Sequence, residues 1–481
     1  MTSLALLTDL YQLTMAYGYW KLGRHDDEAV FHLTFRRAPF GGAYAVAAGL
    51  EPIADYIESL RFDDSDLAYL ASLTGNDGER LFERGFLDHL AAWELAIDVD
   101  AVPEGTVVFP RAPLVRVRGP LLQCQILETA LLNTINFQTL IATKAARIHL
   151  AARGEPVLEF GLRRAQGIDG SLAASRASFI GGCSATSNVL AGKRYGIPVK
   201  GTHAHSWVMT FDDEPAAFAA YASAMPNNCV FLVDTYDTVE GVHHAVAAGR
   251  ALRAKGREMV GIRLDSGDLG KLSVAARRIL DDGGFPDAEI VASNDLDEYR
   301  IAKLKDAGAK ISVWGVGTRL VTAYDQPALG GVYKLAAIRR PGEDWRPTVK
   351  LSEQPIKVSD PGILGVRRYR KPGSTFVMDL VHPIDAPPGP DAVGVDPFDA
   401  KVTRRPGDLP GEDLLVPVFR RGERVRHAPP LPEVRERAAA QLACLDPGRR
   451  LLDVPVPYPV LLEQSVHDTR ARLIEAARRN R

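Results

Sequence analysis

The sequence predicts an α/β protein whose centre is a barrel of parallel strands. Between residues 155 and 318, short β-branched runs alternate with helical stretches, at a repeat of 20–32 residues. Alternating units of this length predict a parallel sheet, and seven units in one array favour a closed barrel over an open sheet. The chain has 481 residues, 46% apolar and 25% charged, which is enough for about two or three globular domains.

The seven predicted strands are short and apolar. They are PVLEFG, ASFIGG, IPVKGT, CVFLVD, MVGIRL, EIVAS and ISVWGVG, which begin near residues 156, 177, 197, 229, 259, 289 and 311. The segments between them, such as SATSNVLAGKRYG, TVEGVHHAVAAGRALRAKG and LDEYRIAKLKDAG, have a spacing of apolar residues that is typical of helices. Residues 151–325 are therefore predicted to form the barrel.

The flanking segments predict a second, α+β domain built from both chain ends. Residues 1–150 contain three amphipathic helical stretches and the strand-like EAVFHLTFRR, while the strands YKLAAI, PTVKLS and STFVMDLV follow the barrel. Residues 326–481 also include a stretch rich in Pro, Gly and Arg near 383–430, which is predicted to be irregular surface chain. A closing helix is predicted at about 457–480.

The charge balance and the cysteines exclude several classes of protein. The formal net charge is -2, so no global basic field recruits nucleic acid or anionic lipid. The four cysteines lie far apart and form no CxxC pair, which argues against a structural zinc site and a disulfide framework. The first residues lack a basic signal region, and no run reaches about 18 apolar residues. A cytoplasmic location is therefore expected.

In a βα barrel, ligand-binding groups project from the carboxyl ends of the strands. Polar residues and glycines gather at the predicted ends, in this order along the chain: Glu159, Phe160 and Arg163; Gly181 and Gly182; Thr202, His203 and His205; Asp234; Arg263, Asp265 and Asp268; Ser293, Asn294 and Asp295; Gly315, Gly317 and Thr318. Loops face water in any barrel, so each residue also has a purely structural interpretation. Taken together, the set predicts a site at this rim.

Two motifs at the rim suit anionic ligands. In GVGT, the backbone N–H groups from Gly315 to Thr318 can surround a phosphate, although glycines there also make ordinary tight turns. In RLDSGD, alternation places Arg263 and Asp265 on one face of the strand. An inward Arg needs either an anionic ligand or a structural carboxylate. Both interpretations of Arg263 remain open on the residues alone.

The GTHAHSW segment places two histidines two residues apart. It has three interpretations: a polar loop, a metal pair of the kind found in barrel hydrolases, or a nucleophilic histidine whose tautomer Asp234 fixes. The hydrolase needs further histidines at later strand ends, and His243 and His244 fall instead in a predicted helix. A different class of enzyme, a Schiff-base aldolase, would use Lys200 within the third predicted strand.

An aromatic face next to a cation suits a flat anionic ring, and Phe160 with Arg163 offers this combination. The segments LLTDLYQLTMAYGYW, FRRAPFGGAYAVAAGL, NFQTLIATKAARI, LEFGLRRAQGIDG, GTHAHSW, LVDTYD, GIRLDSGDL, SND and GVGT occur in this order from residue 6 to 318. Together they resemble the nicotinate phosphoribosyltransferase family. The resemblance extends to about residue 355 and is looser beyond.

The resemblance implies a type II phosphoribosyltransferase fold, with an irregular seven-stranded α/β barrel, and a homodimer whose active sites use both subunits. It also implies a reaction in NAD biosynthesis: nicotinate and 5-phosphoribosyl 1-diphosphate give nicotinate mononucleotide and diphosphate, coupled to ATP hydrolysis through an autophosphorylated histidine. Positive charge develops on the ribose and negative charge on the departing diphosphate, so carboxylates are expected near the sugar, and Mg²⁺ and cations near the leaving group. The metal ligands are not predicted.

The resemblance also implies roles for individual residues. His205 matches the phosphorylated histidine, Asp234 the carboxylate that orients it, and Asp265 a carboxylate near the ribose. The implied substrate contacts are Tyr11 and Phe160 on the two faces of the ring, with Tyr11 from the other subunit; Thr202 and Arg263 at the nicotinate carboxylate; Arg163 and Thr318 at the phosphoribosyl diphosphate; and Ser206, Asn294, Gly315 and Gly317. Family members usually have an apolar residue at His203, so this second imidazole is a competing candidate for phosphorylation.

Four rival functions stay open at this level. A nicotinamide phosphoribosyltransferase should present a carboxylate to the amide, whereas Arg263 and Thr202 suit an acid. A quinolinate phosphoribosyltransferase needs extra basic groups for a second carboxylate. The aldolase using Lys200 would be trapped by borohydride. A non-catalytic relative would bind nicotinate without releasing diphosphate.

Overall fold

The computed structural model describes residues 3–371, 373 and 375–479. The chain divides into two compact units, residues 1–140 with 328–481 and residues 141–327. In the described part, no helix is both long and apolar enough to span a membrane.

The helices differ widely in length, and the two that begin at His205 and Thr318 have only four residues each. In chain order they are α1 (Leu10–Lys21), α2 (Leu50–Ser59), α3 (Asp64–Ser72), α4 (Arg84–Ala91), α5 (Leu121–Ile126), α6 (Glu128–Ala152), α7 (Gly167–Ile180), α8 (Val189–Tyr195), α9 (His205–Val208), α10 (Glu214–Ala224), α11 (Thr238–Arg253), α12 (Leu269–Asp282), α13 (Glu298–Asp306), α14 (Thr318–Val321), α15 (Leu431–Ala443) and α16 (Gln464–Arg479). Short 3₁₀ turns lie at Pro39–Gly41, Leu162–Arg164, Pro355–Lys357 and Pro447–Arg449.

The strands are mostly short. In chain order they are β1 (Glu28–Phe35), β2 (Ala45–Val46), β3 (Asp98–Ala101), β4 (Val107–Val108), β5 (Val115–Pro120), β6 (Val157–Glu159), β7 (Ala185–Thr186), β8 (Val230–Leu232), β9 (Gly261–Leu264), β10 (Glu289–Ala292), β11 (Val313–Val316), β12 (Gly331–Arg339), β13 (Arg346–Pro347), β14 (Leu364–Arg370), β15 (Phe376–Pro383), β16 (Gly394–Val395), β17 (Thr403–Arg404), β18 (Gly411–Asp413), β19 (Val416–Arg420), β20 (Glu423–Arg424) and β21 (Val460–Glu463).

The unit made of residues 1–140 and 328–481 contains two large sheets. One is antiparallel, in the order β13-β12-β1-β5-β3-β19-β20, so strands from both ends of the chain pair within it. The other has the order β17-β16-β21-β15-β14-β18. Arg368 and Asp379 form a fully buried ion pair between β14 and β15, at 2.7 Å, and the Tyr458 hydroxyl donates to the same carboxylate. A buried charge pair of this kind is tolerated because hydrogen bonds satisfy it.

The unit of residues 141–327 contains a six-stranded parallel sheet in the order β7-β6-β11-β10-β9-β8. Its strands alternate with helices, as expected for βα units. Inward-facing apolar side chains pack into one cluster: Leu158, Ala185, Val230, Val291 and Val313. Phe160 packs against this cluster at the carboxyl end of β6. The parallel α/β arrangement predicted from the alternation is confirmed, and the carboxyl ends of all six strands lie at one edge.

Two of the seven predicted strands are wrong in detail. ASFIGG forms the end of α7 and its cap, and the strand that pairs with β6 is Ala185–Thr186, inside a segment predicted to be helical. IPVKGT contributes a single bridge, between Val199 and Thr186. In the part of the chain that is described, β7 and β8 do not pair, so no closed sheet is observed.

The error at ASFIGG has a physical cause. Almost every residue of α7 from Ser171 to Ile180 is buried, so this stretch lacks the polar face by which periodicity identifies a helix. Gly181 and Gly182 consequently end a helix instead of a strand. A Cβ on Gly181 would lie 2.2 Å from the Ala142 carbonyl oxygen, and one on Gly182 would lie 2.8 Å from the His149 ring, so both glycines serve close packing. Gly182 also has a positive φ, which favours glycine.

The segments after the parallel sheet also differ from expectation. The region 383–430, predicted to be irregular, contains the short strands β16 to β20, and β19 is an internal strand of the antiparallel sheet. The closing helix begins at Gln464, because residues Val460–Glu463 form β21 beside β15. PTVKLS contributes only the first residue to a strand. Proline and glycine content predicts turns but does not exclude two- to five-residue strands between them.

Candidate active site

The carboxyl ends of the parallel strands bring several predicted site residues together. Arg263 lies on β9 and Asp265 follows that strand directly, while Asp234 lies two residues after β8. Ser293 follows β10, and Phe160 follows β6. These strands are parallel neighbours in one sheet, so their ends form a continuous rim.

A hydrogen-bond network fixes two carboxylates at this rim. Asp234 Oδ2 accepts from the backbone N–H of Asp265 and from the hydroxyl of Ser266, each at 2.7 Å. Arg263 Nη2 donates to Asp265 Oδ1 at 3.0 Å, and its Nε donates to the Ser293 hydroxyl oxygen at 2.9 Å. The Ser293 hydroxyl donates in turn to Asp265 Oδ1. The loop after β9 is thereby attached to the ends of both neighbouring strands.

Asp265 is held in its ionised form. Burial alone would raise the pKa of this carboxyl, but the hydrogen bond from Ser293 and the positive charge of Arg263 outweigh burial and keep the pKa below its usual value. A depressed pKa contributes stability above the unfolded-state value, and this contribution is lost as the pH falls through the folded-state pKa. Near neutral pH the rim therefore carries the Asp265 negative charge.

His205 is the first residue of α9 and faces the two carboxylates. Its side chain is 39% exposed, and Nε2 lies 3.8 Å from both Asp234 Oδ1 and Asp265 Oδ2. Its Nδ1 lies 3.1 Å from the Thr235 hydroxyl. Thr235 is thus within hydrogen-bonding distance of Nδ1, while the predicted partner Asp234 lies at ion-pair distance from Nε2. If Nδ1 donates to Thr235, the lone pair of Nε2 is available as a nucleophile.

The two histidines of GTHAHSW have different environments. His203 is only 8% exposed, and its ring packs against Phe218 and Tyr221. Its Nε2 accepts from the backbone N–H of Leu232 at 3.3 Å. The residues the structure describes include no group of three potential metal ligands. This geometry gives the hydrolase interpretation no support, and it leaves His205 as the accessible imidazole.

Gly315 on β11 and Gly317, just after that strand, make room for Phe160. A Cβ on Gly315 would lie 2.8 Å from the Phe160 ring, and one on Gly317 would lie 3.1 Å from the Phe160 carbonyl oxygen. The Arg263 guanidinium lies 6.0 Å from the centre of the same ring. The glycines of the predicted phosphate-binding GVGT segment thus have a packing role, since they set the position of the Phe160 ring next to the Arg263 guanidinium.

Replacing Gly315 with alanine should therefore displace the Phe160 ring. We expect a loss of about 1–3 kcal/mol in unfolding free energy, because the new methyl group overlaps the ring, together with a raised KM for an aromatic substrate. Thermal unfolding and initial-rate kinetics would measure both.

Gly170→Ala is the matched control, since a Cβ on that α7 residue meets nothing within 4 Å. It should change stability by less than about 1 kcal/mol. Wild-type stability and KM in Gly315→Ala would contradict the packing role.

Phe160 and Thr202 line one cavity of about 250 Å³ inside the parallel sheet. Lys200 lines the same cavity with Val260 and Glu289, which lie at the amino end of their strands. Lys200 is exposed, and its backbone N–H pairs with Thr186. The aldolase interpretation gains no support, because Lys200 lies toward the strand end opposite the carboxylates.

The remaining predicted residues are less closely connected. Arg163 lies in the 3₁₀ turn Leu162–Arg164, which packs against α14, the helix that Thr318 begins. Ser206 is an exposed residue of α9, and Asn294 is exposed with a φ of 96°. Tyr11 belongs to the other unit, on α1, and is 48% exposed.

Two other rim residues, Glu159 and Asp268, have structural roles. Glu159 is buried and bonds to Gly161, Ser175 and Thr186. Asp268 caps α12 by accepting from the backbone N–H of Lys271, and Asp295 is exposed with a positive φ. Conversely, Thr235 and Ser266 were not predicted from the sequence, and Ser293 was predicted to lie at the rim but without a specific partner. Each lies within two residues of a predicted carboxylate or directly after a strand, which was the available signal.

Comparison with known proteins gives a consistent result. Three models of the nicotinate phosphoribosyltransferase family match the chain: the N-terminal domain at residues 6–136, the family model at 156–358 and the C-terminal domain at 366–470. Nicotinate phosphoribosyltransferase of Bacillus subtilis is 41% identical, over 98% of this chain and 97% of that protein. The human protein of the same name is 38% identical, over 95% and 94%.

The fold agrees with this similarity. The crystal structure of human nicotinic acid phosphoribosyltransferase matches with a TM-score of 0.85 at 36% identity, covering 97% of this chain and 99% of that one. Relatives at about 40% identity over nearly the full length establish membership. The chain belongs to the nicotinate phosphoribosyltransferase family.

Proposed function

We propose that the protein transfers the phosphoribosyl group of 5-phosphoribosyl 1-diphosphate to nicotinate and couples this transfer to ATP hydrolysis through phosphorylation of His205. One observation carries the proposal most directly: the Phe160 ring, the Arg263 guanidinium and the His205 imidazole lie at one rim, joined through Asp265. A ring-binding surface, a carboxylate-binding cation and a nucleophile are the three groups that the coupled reaction needs.

Nicotinate is proposed to bind with its ring on Phe160 and its carboxylate toward Arg263 and Thr202. Two of the Arg263 nitrogens already bond to Asp265 and Ser293, and in the described part of the chain Nη1 has no hydrogen bond. A ligand carboxylate at Nη1 would complete the pairing of a half-buried guanidinium. The ring nitrogen would then attack the anomeric carbon of the ribose as the bond to diphosphate breaks. Gly315, Gly317, Thr318, Arg163, Asn294 and Ser206 are proposed to contact the substrates.

The phosphorylation step uses the free nitrogen of His205. Nε2 attacks the γ-phosphorus of ATP, an N–P bond forms, and the bond to the ADP oxygen breaks. No proton needs to leave Nε2 if Nδ1 carries it and donates to Thr235. Water later cleaves the N–P bond to give phosphate. Asp234 and Asp265 flank the reacting nitrogen and would hold the ring, and Asp265 would also lie near the ribose.

Asp234 and Asp265 offer carboxylate oxygens of the kind that a magnesium ion prefers. Asp234 Oδ1 is buried and has no hydrogen-bond partner in the described chain, and Asp265 is ionised beside it. Mg²⁺ prefers oxygen ligands and is usually held by one or two carboxylates together with substrate phosphates. When bound, it would supply positive charge to the leaving diphosphate. We propose Asp234 and Asp265 as its protein ligands.

We also propose that the parallel sheet belongs to an irregular seven-stranded barrel, with residues 151–325 as the catalytic domain and both chain ends forming the α+β domain. Residues 198–203 support closure, because they hydrogen-bond to β7 on one side and to β8 on the other. A homodimer with shared sites is proposed because Leu7, Leu10 and Tyr11 of the α1 region are exposed. The four cysteines are free, which fits a cytoplasmic location.

The decisive assay measures diphosphate formation from nicotinate and 5-phosphoribosyl 1-diphosphate, with and without ATP and Mg²⁺. We expect nicotinate to be used, with ATP raising the rate and chelation of Mg²⁺ abolishing it. Nicotinamide and quinolinate serve as competing substrates in the same assay. Preferential use of nicotinamide, release of CO₂ from quinolinate, or nicotinate binding without diphosphate release would each reject the proposal.

A further inference from the structure

His203 is a buried polar side chain that the proposed chemistry does not use. Its ring lies between α10 and β8, with the Tyr221 ring edge-on at 4.7 Å and the Phe218 ring at 6.2 Å. Both of its ring nitrogens have polar neighbours: Nε2 faces the backbone N–H of Leu232 at 3.3 Å, and Nδ1 lies 3.4 Å from the Ala204 carbonyl oxygen. A buried imidazole with both nitrogens matched is expected to have a fixed orientation.

The hydrogen bonds define the charge of this ring. A backbone N–H can only donate, so Nε2 must accept and the proton must lie on Nδ1. His203 is therefore neutral when the bond to Leu232 forms. Burial lowers its pKa; the Ala204 carbonyl opposes this, while Arg263 and His205 lower the pKa further. The neutral tautomer is thus the stable one in this environment.

The bond to Leu232 lies at the open edge of the parallel sheet. On the β7 side, Thr186 donates to the Pro198 carbonyl and Lys200 donates to the Thr186 carbonyl, each at 3.0 Å. On the β8 side, the described residues show no backbone hydrogen bond from this segment, and the His203 side chain accepts the N–H of Leu232. The His203 imidazole therefore accepts the N–H of β8 that, in a continuous sheet, the backbone carbonyl of a neighbouring strand would accept.

We propose that His203 is a positioning residue that fixes the segment from Thr202 to His205 against the end of β8. Two residues beyond Leu232 lies Asp234, and Thr235 then bonds to His205 Nδ1. On the other side of His203, the Thr202 hydroxyl donates to the His203 carbonyl at 3.0 Å. This inference rests on the proposed function, because it holds that one hydrogen bond, between His203 and Leu232, positions both the nicotinate contact Thr202 and the nucleophile His205.

Two substitutions separate the hydrogen bond from the bulk of the ring. His203→Leu removes the acceptor, whereas His203→Gln keeps an oxygen that can accept from Leu232. We expect His203→Leu to raise the KM for nicotinate about tenfold and to slow phosphorylation of His205 about tenfold. The buried N–H of Leu232 is then left unpaired, and the segment from Thr202 to His205 loses the hydrogen bond that positions it. Amide hydrogen exchange at Leu232 should become faster. His203→Gln should restore most of the exchange protection and of both kinetic parameters.

Phe218→Leu is the matched control, because it loosens the same pocket without removing the bond to Leu232. It should lower the melting temperature yet leave the KM for nicotinate and the exchange at Leu232 close to wild type. Unchanged exchange at Leu232 in His203→Leu, or the same kinetic losses in Phe218→Leu, would overturn the proposal. A failure of the proposed function can be told apart from a failure of this inference. In the first case wild-type protein would form no phosphohistidine, while amide exchange at Leu232 would still detect the hydrogen bond to His203.

Discussion

Replacing His205 with alanine should abolish ATP hydrolysis while leaving slow, ATP-independent transfer of the phosphoribosyl group. The Nε2 atom is the proposed nucleophile, so we expect the ATPase rate to fall by roughly 1,000-fold or more. Phe160, Arg263 and the two carboxylates stay in place, so nicotinate and the sugar diphosphate should still react. Colorimetric phosphate release and diphosphate release, measured in parallel, would separate the two activities.

The same variant decides which histidine is phosphorylated. After incubation with labelled ATP, mass spectrometry of acid-labile phosphopeptides should find label on His205 in wild type and none in His205→Ala. His243→Ala is the matched control, because His243 is an exposed histidine of α11 in the same unit. Label retained on His203 in His205→Ala would refute the assignment, as would wild-type stimulation by ATP.

Replacing Arg263 with alanine should raise the KM for nicotinate about 100-fold, because a charge-assisted hydrogen bond to the carboxylate is lost from a half-buried site. Nicotinamide carries no negative charge, so the rate of transfer to nicotinamide, which we expect to be much lower, should change little in this variant. The preference for acid over amide would therefore shrink in Arg263→Ala. Initial rates with each substrate measure this shift.

The loss of Arg263 should also change the pH dependence. Its positive charge is one of the groups that hold the pKa of Asp265 below the usual value, so removing it should raise that pKa. Since the proposed reaction needs ionised Asp265, the acid limb of kcat/KM should move to higher pH. Arg278→Ala is the control, because Arg278 is 86% exposed on α12. An unchanged acid limb and KM in Arg263→Ala would exclude the proposed role.

Much of the site was predictable because strand ends are local features of the sequence. A short apolar run followed by a polar residue identified Asp234 and Asp265, and the end of the first predicted strand identified Phe160. The parallel sheet then brought these positions to one edge. Alternation along RLD placed Arg263 and Asp265 on the same face, and the two side chains do bond to each other. These inferences needed only the periodicity of strands.

The hydroxyl groups that hydrogen-bond to the rim carboxylates and to His205 could not be predicted from the sequence. Thr235, Ser266 and Ser293 are common hydroxyl residues in loops, and nothing in the sequence distinguishes a hydroxyl that bonds to a carboxylate from one that faces water. Their roles depend on loop conformations that long-range contacts determine, such as the bond from the Asp265 backbone to Asp234, 31 residues away. The contact of Thr235 with the imidazole, which accompanies the expected proximity of Asp234, was missed for the same reason.

The parallel βα architecture, the family resemblance and the strand-end residues of the rim follow from the sequence alone, because local periodicity and the order of the motifs are enough to identify them. That ASFI belongs to a helix is visible only in the tertiary structure, since burial of nearly all residues of this stretch removes the polar face by which a helix is recognised. The tertiary structure also decided that His203 is enclosed while His205 is open. Two histidines in one short motif differ only in what packs against them, and residues distant in the chain supply that packing.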